Sequence, residues 1–341
     1  MKTAKKLTAL ILALAMIFAL AACAGSDEDK TPTGDAPKTT VNVATLMGPT
    51  GIGMTKLMDE DKNGNSFNDY NFTVATSPDQ VVAAITNATE PVDIAACPIN
   101  LASTLYKKTN GAVQIAAINT LGVLYILENG NTIKSISDLK GKTLYATGQG
   151  STPEYILNYI LEANGLTPGK DITVKYVAEH AELATMIATG KVDLAMLPEP
   201  NVTSARVQNS NLRIALNVTE EWGKATVLKG DGESELVQGC IIVRKEFAEN
   251  HPEALEAFLE EYKNSVEYVN SNIKDASTLC ETYGIIPKAA VAAMAIPNCN
   301  ITFVKGNEMK ELAQSNLKIL YDANPASIGG DMPADDFYYG C

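Results

Sequence analysis

Gly239-Cys-Ile-Ile-Val-Arg244 closely echoes Leu121-Gly-Val-Leu-Tyr-Ile-Leu127 from earlier in the chain. Each is a short apolar run of the kind that forms a buried strand, and each leads out of a block in which strand and helix patterns alternate. A chain that leaves one such block by a strand, and the next by a similar strand, crosses from a first lobe to a second and back. That reading organises the chain from Thr40 onward.

The first block begins with the strand candidate Val41-Asn-Val-Ala-Thr-Leu46, which ends in Gly48-Pro49-Thr50-Gly51. A short helix over 54–58, a strand over 71–76 and a helix opened by Pro78 follow. Val92-Asp-Ile-Ala-Ala96 is a third strand, and Pro98 opens the next helix. Proline suits a first helical turn because its missing N–H has no partner there in any case. Strands over 112–117 and 121–127 complete the block. The pattern restarts at Asp138-Leu-Lys-Gly-Lys142, with Thr143-Leu-Tyr-Ala-Thr147 running into Gly148-Gln149-Gly150-Ser151-Thr152-Pro153. A helix over 154–164 stops at Gly165, as a C-cap. A strand over 172–176, a helix over 181–189, the strand 192–197 and the strand 212–217 follow. Apolar runs separated by helices predict mostly parallel sheets covered on both faces. The tail from Pro252 reads as helices over 252–270, 276–283, 288–294 and 308–321. In the first, Leu255, Phe258, Leu259, Tyr262, Val266 and Val269 repeat at helical spacing.

The N-terminus carries a different signal. Lys2, Lys5 and Lys6 precede a mostly apolar run from Leu7 to Leu20, which closes on Leu20-Ala21-Ala22-Cys23. The run is too short for a permanent membrane span and suits an export signal over 1–22. Its last four residues resemble a bacterial lipobox, which implies lipidation of Cys23; Ala22 and Ala24 would also suit the ordinary signal peptidase. The segment 23–40 has no aromatic or large aliphatic residue, so it cannot bury enough surface to offset the entropy of ordering. It reads as a flexible tether. One acyl chain binds membranes only marginally, so a stable anchor implies more than one on Cys23.

Composition narrows the function. The formal charge is −13, and loss of the three signal lysines takes the mature chain to −16. Nucleic acid and anionic lipid surfaces are poor partners for such a body. The 6 cysteines and 2 histidines form no CxxC or Cys/His cluster, so no zinc site is expected. Cys97 and Cys240 read as small core residues. Cys280 and Cys299 flank a helical hairpin, where a bridge is one reading and two free thiols the other.

The order of these features resembles the substrate-binding proteins of ABC importers with the type II periplasmic-binding-protein fold, and within them the nitrate/sulfonate/taurine group, which includes binders of thiamine precursors. The residues that carry the resemblance are the lipobox start, Ser137-Asp-Leu-Lys-Gly-Lys142, Gly190-Lys-Val-Asp-Leu-Ala195 with Leu197-Pro-Glu-Pro200, and Cys240 to Arg244 followed by Lys245-Glu-Phe-Ala-Glu-Asn-His-Pro-Glu253. The resemblance implies an α/β fold of two lobes, each a mixed, mostly parallel sheet flanked by helices, with C-terminal helices packed outside. The expected divisions are lobe one over 41–128 and 238–300, lobe two over 129–237, and a C-terminal helical tail over 301–341. It also implies a monomeric hinged clamp on the outer side of the cytoplasmic membrane. The clamp would close on a small polar solute and deliver it to ABC permease and ATPase subunits, without cofactor or metal.

Ligands of such sheets sit at the carboxyl ends of parallel strands. The candidate binding residues are therefore Met47, Gly48, Pro49, Thr50 and Gly51; Cys97, Pro98, Ile99 and Asn100; Asn119; and Gly148, Gln149, Gly150, Ser151 and Thr152. Glu199 and Trp222 are weaker additions. The loop Gly48-Pro-Thr-Gly-Ile-Gly-Met-Thr-Lys56 is not a nucleotide P-loop, because Met54 stands where lysine is required. Ser151 and Thr152 alternatively cap the helix they open. Glu199 alternatively is an exposed loop acid, and Trp222 packs beside lobe two. Arg206, Arg213 and Arg244, the only arginines, all fall outside the candidate loops, so a bidentate clasp on a carboxylate or sulfonate is not expected. Either helix N-termini hold an anion, or the ligand is neutral or cationic. Two further classes stay open: surface sensing or adhesion with the same clamp, and a thiamine-precursor biosynthesis enzyme. For the enzyme His180 is the one conceivable base, and no nucleophile or oxyanion hole accompanies it.

Overall fold

The computed structural model describes residues 38–341, so the expected signal peptide, Cys23 and most of the tether lie outside the described residues. The strands, in chain order, are β1 (Thr40–Leu46), β2 (Asp69–Ala75), β3 (Ile94–Pro98), β4 (Val113–Leu121), β5 (Leu124–Glu128), β6 (Thr143–Ala146), β7 (Thr173–Tyr176), β8 (Leu194–Pro198), β9 (Arg213–Asn217), β10 (Val237–Arg244) and β11 (Ile301–Val304). They form two sheets, ordered β11-β4-β10-β3-β1-β2 and β7-β6-β8-β5-β9.

Alternation of side chains along each strand gives every sheet two buried faces. In β1, Val41 and Val43 enter one core of lobe one, and Ala44 and Leu46 enter the other. In β10, Ile241 and Val243 divide from Cys240 and Ile242 in the same way. In lobe two, Leu124 and Ile126 face one core while Tyr125 and Leu127 face the opposite one. This is why the strands read as unbroken apolar runs.

Both sheets are mixed, and lobe one is less parallel than its sequence suggested. β1 pairs in parallel with β2 and β3, but β10 is antiparallel to both β3 and β4. In lobe two, β6 is parallel to β7 and β8, and β5 is antiparallel to β8 and β9. The antiparallel members follow from the path. A strand that has just crossed from the other lobe enters the sheet at the edge where the parallel strands end.

Three elements sit differently from the sequence reading. The run 121–127 is not one strand of lobe one: Leu121 ends β4 in the first sheet, and β5 is hydrogen-bonded in the second. The crossing therefore precedes β5, whereas the expected lobe boundary followed residue 128. The tail is not wholly helical, because β11 joins the first sheet beside β4. A helix over Val218–Lys229, which ends on the left-handed Gly230, follows β9 and carries Trp222. The C-terminal helices otherwise cover lobe one as expected. Leu255, Phe258, Leu259, Tyr262, Val266 and Val269 of the helix Pro252–Ser271 are all buried in one core. Met309, Ala313, Leu317 and Leu320 of the helix Gly306–Ala323 enter the other. Each fully buried large side chain contributes about 1.5–3 kcal/mol by leaving water.

The crossing itself is short. Only Gly122 and Val123 separate β4 from β5. A Cβ on Gly122 would stand 2.2 Å from Thr219 Oγ1 and 2.8 Å from Leu236 Cδ2. Both neighbours lie in lobe two or the return crossing, so the first crossing is wedged against the second. Gly122→Ala is expected to cost about 1–3 kcal/mol from overpacking, read as a lower urea midpoint with an unchanged slope.

Candidate functional site

Strand register decides which loops meet. β1, β2 and β3 are parallel, so Leu46, Ala75 and Pro98 end on one edge of the first sheet. Gly239 near the start of β10 lies opposite Pro98, and Leu121 at the end of β4 lies opposite Val237. In the second sheet Ala146 of β6 pairs with Tyr176 of β7, Pro198 of β8 with Leu124 of β5, and Asn217 of β9 with Tyr125. The two-residue crossing joins these edges, so they face each other across the hinge. Ligands of open α/β sheets bind at such edges.

The loop after β1 is held firmly. Met47 N–H donates to Ala75 O at 3.0 Å and Gly48 N–H to Ile285 O at 2.9 Å. Gly48 has φ 86 and ψ −156, a region essentially closed to other residues. Pro49 then opens the short helix Pro49–Ile52, in which Thr50 and Gly51 are buried. Asn119 Nδ2 donates to Thr50 O at 3.1 Å, and Thr120 Oγ1 donates to Asn119 Oδ1 at 3.1 Å. Asn119 thus spends its carboxamide on the loop and has no exposed surface. Met47, 37% exposed, is the most open residue of this loop.

After β3, Cys97 and Ile99 are core residues, and Pro98 and Asn100 are partly exposed. Asn100 Nδ2 points to Ser327 O at 3.4 Å. Cys97 faces Cys240 across the β3–β10 ladder, and Cys240 Sγ donates to Cys97 O at 3.6 Å. Cys280 and Cys299 are both free thiols in one lobe-one core; burial pushes the Cys280 thiol up to about 12.

In lobe two, Gln149, Gly150 and Ser151 are exposed, and Gly148 and Thr152 are half-buried. Ser151 Oγ donates to Gly148 O at 2.6 Å instead of capping the helix Thr152–Ala163. Glu154 Oε2 accepts from Gly150 N–H at 2.6 Å and closes the loop from the helix side. His180, which opens the next helix on this edge, lies 2.7 Å from Thr147 Oγ1 through Nδ1. Burial holds its pKa below the usual histidine range.

Glu199 and Trp222 are not cleft-surface residues. Trp222 is 1% exposed and packs at 4.9 Å from the Tyr159 ring inside lobe two. Glu199 is 2% exposed, not a solvated loop acid. It accepts from Thr203 N–H and Thr203 Oγ1, each at 3.1 Å, and from Asn298 Nδ2 at 3.2 Å. Asn298 belongs to lobe one, and its carbonyl accepts from Tyr125 Oη of lobe two at 2.7 Å. Asn300 Nδ2 adds a bond to Gly122 O at 2.6 Å. Sequence reasoning missed this interlobe network. Its one available signal was the close pair of asparagines Asn298 and Asn300 around Cys299, in a stretch read as the end of a helical hairpin.

Burial pushes the Glu199 carboxyl above its usual range, against the bonds from Thr203 and Asn298 and the charge of Arg206, which pull it down. An acid raised in the folded state contributes stability that is complete below its unfolded value, about 4.3, and is lost as pH rises through the folded value. Relative to Glu199→Gln, the native chain is therefore expected to gain stability as pH falls from about 7 to about 4. Urea unfolding at both pH values checks this; a difference that does not change with pH would remove the buried carboxylate as its source.

The family model described as NMT1/THI5 like matches residues 107–276. No curated protein sequence matches the chain. Among solved structures, an ABC transporter from Parabacteroides distasonis is similar with a TM-score of 0.72 and 24% identity, over 88% of this chain and 98% of that one. The periplasmic aliphatic sulphonate binding protein SsuA from Escherichia coli has a TM-score of 0.66 at 16% identity, over 88% and 94%. The periplasmic nitrate-binding protein NrtA from Synechocystis has 0.56 at 15%, over 86% and 84%. The lobes, the crossing and the facing strand ends are thus those of the type II periplasmic-binding-protein fold, and the stretch similar to the NMT1/THI5-like family model takes in lobe two and the strands that enter and leave it.

Proposed function

We propose that the chain is the extracytoplasmic solute-binding component of an ABC importer, held on the outer side of the cytoplasmic membrane through lipidated Cys23. One observation carries the reading. Two α/β lobes present their strand-end loops to each other across a two-residue crossing. A solute that touches both edges favours the closed state because it binds that state better. The closed form would then dock on permease and ATPase subunits.

The contacts assigned to the solute are the exposed or half-exposed members of the two edges: Met47 and Pro49 with Pro98 from lobe one, and Gln149, Gly150 and Ser151 from lobe two. Thr50, Gly51 and Asn119 support the first loop from beneath. The sequence resemblance sets the range of solutes as small polar molecules of the sulfonate, taurine, nitrate or thiamine-precursor kind. The clamp binds and releases its solute unchanged. Thr147 Oγ1 and His180 Nδ1 are hydrogen-bonded to each other at 2.7 Å.

Thermal unfolding of the purified chain against such solutes, with purines, riboflavin and amino acids added, tests the reading. A ligand at 100 times its dissociation constant is expected to add about 2.7 kcal/mol, and so to raise the melting temperature by several degrees. Ser151→Ala is expected to weaken a hit, with the unliganded melting temperature little changed. A hit that survives loss of both Ser151 and Met47 would move the site away from these edges.

A further inference from the structure

Every segment on the facing edges lacks a cation. The stretches 47–50, 76–78, 98–100, 119–123, 147–152, 177–180, 199–201 and 217–219 contain no lysine or arginine. The return crossing over 230–236 carries Asp231, Glu233 and Glu235, again without a basic residue. The three arginines are committed elsewhere. Arg206 Nε donates to Leu212 O at 3.4 Å, and its charge reaches the enclosed Glu199. Arg213 is bound to Glu128 and to Ile133 O. Arg244 reaches Asp93 at 3.1 Å and Glu246 at 2.8 Å. His180 is the one histidine on these edges, and local desolvation disfavours its charged form.

An anion can also be held without cations, by free N–H groups at helix N-termini. Here acids of the protein itself stand at or beside most of those ends, although only Glu199 accepts from an N–H of its helix. Glu199 accepts from Thr203 N–H at the start of the helix Asn201–Gln208. Glu154, in the first turn of the helix Thr152–Ala163, accepts from Gly150 N–H in the loop before the N-cap Ser151. Glu179 is the N-cap of the helix His180–Ala188, Asp79 lies in the first turn of Pro78–Ile85, and Glu220 in that of Val218–Lys229. The helix Ile99–Lys108 and the single turn Pro49–Ile52 start without an acid. A sulfonate or nitrate entering the cleft would therefore meet acids on the lobe-two side and no lysine or arginine in these loops, with only the helix Ile99–Lys108 and the single turn Pro49–Ile52 of lobe one in its favour.

We infer that the cleft takes a neutral or cationic solute rich in N–H donors, and excludes the simple anions that SsuA and NrtA are named for. The inference rests on the solute-receptor reading and narrows its ligand class. Carboxylates and backbone carbonyls on both edges supply acceptors, and the exposed Gln149 and Ser151 supply adaptable polar contacts. The like charges that repel an anion attract a cation and leave a neutral donor unopposed.

The test is isothermal titration of the full chain with a charge-sorted panel of similar size: nitrate, ethanesulfonate and acetate; taurine as the zwitterion; ethanolamine and choline as cations; cytosine and adenine as neutral N–H donors. A wider metabolite screen by thermal shift backs it. The expected result is binding confined to neutral or cationic members, at least about tenfold tighter than any anion. An anion that binds as tightly as the best neutral or cationic member overturns the inference while leaving the receptor reading intact. A well-folded chain that binds no member of either screen overturns the receptor reading, and the inference with it. Lys288, exposed three residues past Ile285, is the control cation. Lys288→Ala is expected to leave the ranking unchanged, and an anion affinity that disappears with Lys288 would show a cation at work in the cleft.

Discussion

The structure depends on a steric constraint at Gly122. The hydrogen-bonded end of β4 and the start of β5 are two residues apart, and the position that joins them has no room for a Cβ beside Thr219 and Leu236. So short a link fixes the edges of the two sheets against each other. It also fixes strand direction: β5 must enter its sheet at the edge where β8 ends, and so runs antiparallel to it. The same reasoning holds for β10 on the way back. Mixed sheets, facing loops and an interlobe cleft all follow from where the chain is forced to cross.

Asn324 Nδ2 donates to Tyr155 Oη at 2.7 Å between the lobes, and three further interlobe polar contacts lie beside the crossing. Asn300 binds the carbonyl of Gly122, Asn298 accepts from Tyr125, and Asn298 donates to Glu199. All three sit on or beside residues that bracket the hinge, so they hold its geometry more than they hold a solute. Glu199 shows how burial changes a role. At the end of a strand it reads from sequence as a possible ligand acceptor. In the fold it is enclosed and shared between the Thr203 backbone and an amide from the opposite lobe.

The sequence revealed the periodic part of this architecture well. Strands with both faces buried stand out as apolar runs, and the helix Pro252–Ser271 announces its buried face through Leu255, Phe258, Leu259, Tyr262, Val266 and Val269. Two things were hidden. β11 is a four-residue edge strand, Ile301-Thr-Phe-Val304, with only Ile301 buried, too short to show a period. The switch of sheets inside 121–127 was hidden because strand pairing is a long-range property: β4 and β5 look like one run until their partners are known. Among the candidate site residues, position at a strand end was legible and exposure was not. Cys97 and Asn119 lie near the edges but belong to strands covered on both faces, and Ile99 and Trp222 turn into the cores from the helices that follow strands.

The acids on the cleft edges serve two ends through one physical effect. Beside a helix N-terminus a carboxylate meets the partial positive charge of the macrodipole, which is worth about 0.3–1 kcal/mol at an exposed site. Glu154, Glu179, Asp79 and Glu220 each stand at such a position. They stabilise their helices whether or not a solute is present. The same placement consumes the feature that would otherwise draw an anion between the lobes. A helix end flanked by its own acid attracts a sulfonate less, so local stability and ligand charge are set together. A relative that binds anions on this scaffold must leave a helix end uncapped by acid or bring a cation to the edge, and this chain does neither along most of its cleft.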